Sequence, residues 1–191
     1  ASRPTLQQDS NGMYYLSFDG TDDSMVTNSI NFTGTDKMTV WAGVRKLSDA
    51  ADAQIVALSA DAATNNGSFD IRAPGSGGAA RYQGISRGTV VSIPFTSSAA
   101  YNAPHTAVVT LTANISGDSA ILRVNGVQAA SSSADQGTGN YGNYPLYLFR
   151  RGGTTLPFNG RLYGLIVRGA ASNASQIAAT EAYVNAKTRA Y

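Results

Sequence analysis

The sequence predicts an all-β sandwich of antiparallel strands closed by one short C-terminal helix. Three observations carry that prediction. Glycine occupies 20 of 191 positions, and Ser, Thr, Asn and Ala are abundant, which supplies many turns and small-residue strands. Short runs of alternating apolar and polar residues recur along the chain between Gly-, Asn- and Asp-rich steps. The period changes to a helical one only near the end. A chain of this length can bury a substantial core as a single domain over residues 1–191, with no need of disulfides.

Residues 1–12 are polar and contain Arg3-Pro4, which predicts an extended lead-in. Met13 to Phe18 reads as the first strand. Asp19-Gly20 then reads as a tight strand reversal, with a return around Ser24 to Thr27. Asn31 to Thr35 is a loop. Met38 to Lys46 is a long strand whose Met38, Val40, Ala42 and Val44 face a core, while Thr39, Trp41, Gly43 and Arg45 face away. Gln54 to Ser59 and Ser68 to Ala73 are expected to pair across a turn-rich segment, with Asp70 and Arg72 pointing away from the core.

Pro74 to Gly78 must be a loop, and Arg81 to Ile85 and Thr89 to Phe95 read as strands broken by Ser86-Arg87-Gly88. His105 to Ala113 and Ala120 to Ala129 flank a loop that makes them a hairpin. Ser131 to Asn143 has almost no large apolar residue and predicts a long exposed loop. Pro145 to Arg150 and Gly160 to Arg168 are the last strands. Asn173 caps a helix reaching about residue 188, with Gln176 three residues on and Ile177, Ala178, Glu181, Ala182 and Val184 at helical spacing.

Composition excludes several functions. With no Cys there is no disulfide framework, thiolate metal site or thiol nucleophile. The net charge is +2, and Lys and Arg are scattered singly apart from Arg45-Lys46 and Arg150-Arg151, which argues against a nucleic-acid partner. No apolar run approaches the roughly 20 residues of a membrane span, so a soluble protein is expected.

The order of motifs resembles the concanavalin A-like lectin/glucanase superfamily in its laminin-G-like form. Leu16 to Asp23 is similar to that family's early Phe-Asp-Gly turn, Met38 to Val44 to its long strand, and His105 to Val127, with Leu122-Arg123-Val124-Asn125-Gly126, to its hairpin. Pro157 to Tyr163 is similar to the Phe-x-Gly-x-Leu strand before the closing segment. The resemblance implies a two-sheet antiparallel jelly-roll sandwich with a short C-terminal helix. Arg3-Pro4-Thr5 before the first strand and Gly169 to Lys187 after the last resemble copies in tailed-phage and prophage structural proteins. Ala1 then fits either a start inside a longer precursor or loss of an initiator Met.

From that resemblance the expected role is a non-enzymatic virion surface component, a tail-fibre, spike or receptor-binding module for host-surface glycan. Capsid decoration by protein contact alone is the alternative, and a polysaccharide-degrading glycoside hydrolase is a lesser one. Other virion proteins, and a homo-oligomer or symmetric array, are the expected partners. Hydrolases of this kind need a pair of carboxyl groups across a cleft. The chain has one Glu, Glu181, in the closing helix, while Asp49 with Asp52 and Asp22 with Asp23 lie in loops. His105 is the only histidine, and no nucleophile elbow or zinc-binding spacing accompanies it.

Glycan recognition uses flat aromatic faces beside amides and charged groups. The residues with that chemistry are Trp41 and Arg45 on the long strand, Tyr101-Asn102, and Asn140, Tyr141, Asn143 and Tyr144 in and after the long loop. For any single Tyr the stronger reading is a loop anchor or a subunit contact. Asp19, Asp22 and Asp23, with nearby backbone carbonyls, offer hard oxygen ligands of the kind calcium takes. The competing reading is stronger: Asp19 caps a turn, Gly20 takes positive φ, and Asp22 and Asp23 are solvated.

Overall fold

The computed structural model describes residues 3–75, 79–90 and 94–191. Its first strands are β1 (Thr5–Gln8), β2 (Tyr14–Asp19), β3 (Met25–Val26), β4 (Ile30–Asn31) and β5 (Lys37–Lys46). β6 (Gln54–Leu58), β7 (Ser68–Arg72), β8 (Gln83–Arg87), β9 (Phe95–Thr96) and β10 (His105–Asn114) follow. The chain ends with β11 (Ser119–Val124), β12 (Val127–Ser132), β13 (Asn143–Tyr144), β14 (Leu146–Leu148), β15 (Asn159–Arg168) and the helix α1 (Ala174–Thr188).

Among the described residues these strands form a seven-stranded sheet ordered β1-β2-β15-β5-β10-β11-β12, a six-stranded sheet ordered β3-β14-β6-β7-β8-β9, and a ribbon of β13 with β4. Neighbours pair antiparallel, and strands distant in sequence lie side by side, as a jelly-roll sandwich requires. Alternation sets the core. Val40, Ala42 and Val44 of β5 and Val109 and Leu111 of β10 share one apolar cluster with Leu58, Phe69 and Ile71 of the opposite sheet.

The opposite face of β5 carries the helix. Trp41 packs with Val108 and Val184 in a second small cluster. Gly43 makes the close approach possible, since a Cβ there would sit 2.6 Å from the Thr188 Cγ2 and 2.8 Å from the Val184 Cγ1. The helix begins as the sequence predicts: Asn173 Oδ1 accepts from the Gln176 amide at 2.9 Å, and Gln176 Oε1 accepts from the Asn173 amide at 3.1 Å.

Several elements differ from the sequence expectation. The lead-in contains β1, which pairs with β2, and all four of its residues are exposed, so no apolar alternation announces it. Gly20 has φ 76 as a turn requires, but β2 and β3 lie in different sheets, so Asp19-Gly20 is a crossing between layers and not a hairpin. The expected single strand over Ala120 to Ala129 is two, because Asn125 and Gly126 both take positive φ and turn the chain back from β11 into β12.

Ser131 to Asn143 is an exposed loop only in part. It starts inside β12, and Gln136 and Tyr141 are buried while the Gly142 amide donates to the Gly67 carbonyl at 2.8 Å. Ser86 and Arg87 belong to β8, where a break was expected. The expected loop at 76–78 and the middle of the expected strand over 89–95, residues 91–93, lie outside the described residues, as does Ala1.

Candidate functional site

Side chains alternate along β5, so Arg45 points to the same face as Trp41 and Gly43, one step beyond the end of α1. Cross-strand register extends that position into a row. Thr106 of β10 sits opposite Arg45, Arg161 of β15 opposite its other side, Ser17 of β2 beyond Arg161, and Thr5 of β1 beyond Ser17. Five polar side chains therefore cross the helix-bearing face side by side. Thr106, Arg45, Arg161 and Ser17 are half-buried and Thr5 is exposed.

A bulge in β15 between Leu162 and Gly164 adds Tyr163 to this face while keeping Leu162 in the core. The Tyr163 ring lies 5.5 Å from that of Tyr15, and the Arg161 guanidinium lies 4.3 Å from the Tyr15 ring centroid, a cation–π geometry. Tyr163 Oη donates to Asp9 Oδ2 at 3.3 Å, Tyr15 Oη donates to Gln7 Oε1 at 2.9 Å, and burial raises the pKa of the Tyr163 hydroxyl. A groove of about 260 Å³ lined by Gly12, Met13, Tyr14, Tyr163 and Lys187 borders these rings. Among the described residues no carboxylate lies within 4.0 Å of Arg45 or Arg161, and Arg45 Nε is buried without a hydrogen-bond partner.

Of the residues that the sequence singles out for a ligand, Arg45 alone stands in this row. Trp41 is buried beneath α1 and offers no face. Tyr141 is buried in the core, with its hydroxyl 2.8 Å from Ser86 Oγ. Tyr101 stacks edge-on against Tyr82 at 5.3 Å, and its carbonyl accepts from Lys46 Nζ at 2.6 Å, while Asn102 beside it is exposed. Asn140 Nδ2 donates to the Thr33 carbonyl at 2.6 Å, and Asn143 and Tyr144 pair with Asn31 and Ile30. The tyrosines are thus loop and core anchors. Arg161, Tyr15 and Tyr163 escaped the sequence reading. Their alternation against Leu16, Phe18 and Leu162 marks them as outward, but nothing local places Arg161 beside Arg45.

A laminin-G-type family model described as the concanavalin A-like lectin/glucanases superfamily matches residues 19–178. The chain belongs to that superfamily. Among solved structures, the heptameric SAP-like pentraxin of Limulus polyphemus is 11% identical, with a TM-score of 0.64 over 86% of this chain and 80% of that one. The Ruminococcus gnavus IT-sialidase CBM40 bound to alpha2,3 sialyllactose is 18% identical, with a TM-score of 0.59 over 82% of this chain and 97% of that one. The binding domain of Botulinum Neurotoxin DC in complex with SialylT is 10% identical, with a TM-score of 0.66 over 95% of this chain and 45% of that one. At these identities the likeness is one of fold. No curated protein sequence matches.

In this concanavalin A-like chain the acidic groups are committed elsewhere. Glu181 is buried and forms a two-point ion pair with Arg123 at 2.8 and 3.2 Å. Asp70 lies on the outward face of the six-stranded sheet but is sealed there, bonded to Arg72 at 2.6 Å, and burial pushes its carboxyl up to about 6 against the pull of Arg72. Loops cover this face. Arg87 donates to the Ala63 carbonyl and to Asn66 Oδ1, holding the 61–67 segment down. The polar face expected around Asp70 and Arg72 is therefore largely internal, with Asp70 fully buried.

Asp19, Asp22 and Asp23 do gather, with carboxylate oxygens within 4.8 Å of one another. Their hydrogen bonds are those of a turn. Asp19 Oδ1 accepts from the Thr21 and Asp22 amides at 2.8 and 3.3 Å, and Asp23 Oδ2 accepts from the Asp19 amide at 3.1 Å. Those backbone donors, Thr21 foremost, lower the Asp19 pKa. His105 Nδ1 lies 3.0 Å from Tyr82 Oη, in an aromatic group with Tyr101. Lys46, buried, ion-pairs with Asp49 beside them.

Proposed function

We propose that this chain is a non-enzymatic glycan-binding module on the surface of a phage-like particle, in a tail fibre or spike, arrayed with copies of itself. The outward row Thr106, Arg45, Arg161, Ser17 and Thr5 carries this reading, because it lines up hydroxyl and guanidinium hydrogen-bonding groups beside the Tyr15 and Tyr163 rings. Sugars are recognised by such convergent polar groups next to aromatic surface. Structures of the same fold hold sialyllactose and SialylT, which supports a glycan as the ligand.

The disposition of the carboxylates supports the non-enzymatic part of the proposal. Hydrolysis of a glycosidic bond needs two across an open cleft. Glu181 is locked to Arg123, Asp70 is sealed with Arg72, and Asp19 is spent on its turn. Calcium has no part in this reading. No helix among the described residues is long and apolar enough to cross a membrane, and the virion surface is the proposed location.

A glycan array with the wild-type chain and the Arg45→Ala, Arg161→Ala double variant tests the proposal. Wild type is expected to bind a defined subset of glycans and the variant to lose it with its melting temperature retained. Absence of any glycan binding, together with symmetric attachment to a capsid shell in particle images, replaces the proposal by capsid decoration. Reducing-end release from a polysaccharide panel overturns its non-enzymatic part.

A further inference from the structure

We infer that the row on the helix-bearing face selects an acidic saccharide, whose carboxylate or sulfate group is held between Arg45 and Arg161. The inference rests on the glycan-binding reading above and names the ligand class of that site. It starts from an arrangement that costs the fold energy. Arg45 and Arg161 are direct cross-strand partners, and like charges in that position repel. A sheet that serves only packing would place a carboxylate or a neutral side chain at one of the two positions.

Among the described residues no ion pair reaches either guanidinium. Asp9, which accepts from the Tyr163 hydroxyl, acts on Arg161 at longer range without forming an ion pair with it. Arg45 Nε is removed from water and bonds to nothing, an unmet donor of the kind that folded proteins rarely leave. Arg45 as a whole is half-buried, so an oxyanion set between the two guanidiniums would meet their remaining N–H donors and cancel the repulsion in one step.

The surroundings favour an anion borne on a sugar over a free one. Arg161 is held against the Tyr15 ring at 4.3 Å, so its donors are positioned before a ligand arrives. Thr106 and Ser17 flank the pair in register and Thr5 follows, giving hydroxyls within one strand spacing on both sides of the charged centre. Those groups suit the hydroxyls of a ring that carries the anionic substituent. The guanidiniums supply charge selection and the flanking hydroxyls supply sugar contacts.

The test uses three matched oligosaccharides, one neutral, one bearing a uronate carboxylate and one bearing a sulfate ester, titrated calorimetrically at low and moderate salt. Wild type is expected to bind one or both acidic forms at least about tenfold more tightly than the neutral form, with the two acidic arms showing which oxyanion is preferred. Arg45→Gln and Arg161→Gln are each expected to abolish that preference. Arg45→Lys, which keeps charge without the planar fork, should recover only part of it. Equal binding of neutral and acidic forms overturns this inference while leaving glycan binding standing. A preference that survives both Gln variants overturns the placement at this pair. No binding by any member, checked on a broad array, overturns the glycan reading itself.

Discussion

Glu181 is the residue whose chemistry most invites a catalytic reading, because it is the one glutamate of the chain and is buried on a fold shared with glucanases. Its surroundings favour a structural role. Both of its oxygens bond the Arg123 guanidinium, and Arg123 also donates to the Gly126 carbonyl, so the pair ties α1 to the β11–β12 turn. Removing one partner strands a charge in a site from which water is largely excluded. Glu181→Ala should therefore cost about 2 to 3 kcal/mol in chemical denaturation, less than a fully buried pair because Arg123 keeps some solvent contact. The double variant Arg123→Ala, Glu181→Ala should recover part of that loss, which a purely catalytic role would not predict. The acidic turn is the second such case. Asp22→Ala with Asp23→Ala should leave the melting temperature equal in calcium and in chelator, since ion binding to the native state would raise it. Gly20→Val should prevent folding, because φ is 76 and a Cβ would lie 2.6 Å from the Asn159 Cβ. A calcium-dependent rise in melting temperature for wild type would restore the metal reading.

At the scale of elements, the helix shows what a sequence states locally and what it leaves to tertiary structure. Its start was legible because Asn173 and Gln176 are three residues apart and bond each other. Asn173→Ala should cost about 1 kcal/mol by thermal or chemical melting. Where the helix docks was not legible, since docking depends on Gly43 in a strand far away in sequence. Gly43→Val should cost about 2 kcal/mol or more and loosen α1, read as faster amide exchange in the helix than in β10. The same gap explains Trp41: alternation correctly turned it away from the core, but only the docked helix reveals that it is buried a second time. For the candidate site, Arg45 was legible from its phase in β5 and Arg161 was not. Their adjacency is a matter of register between strands at opposite ends of the chain, which no local pattern records. Strand β1 escaped notice for a different reason. It buries none of its side chains, so it has no apolar face to display.

For the whole molecule, two titrating groups in different parts of the sandwich oppose each other in acid. His105 sits at one end, where burial and then Lys46 depress its pKa below the ordinary 6.5. As pH falls below 6.5 the unfolded chain takes up a proton that the folded chain resists, so stability is lost on acidification. Asp70, sealed on the outward face of the six-stranded sheet, keeps its proton up to about 6 when folded and only to 3.8 when unfolded. Its contribution is complete below 3.8 and is lost as pH rises through about 6. Between these limits the slopes run in opposite directions and offset one another in the wild type. His105→Gln removes one slope and should give a protein whose melting temperature rises as pH falls from 6 towards 3.8. Asp70→Asn leaves the other slope, so its melting temperature should fall as pH drops below 6.5, whatever constant loss follows from leaving Arg72 without its partner. Melting curves of the three proteins across that window read the sign directly. Parallel profiles would mean that neither group titrates differently in the folded chain, and that the Asp70–Arg72 pair remains fully ionised beneath its loops.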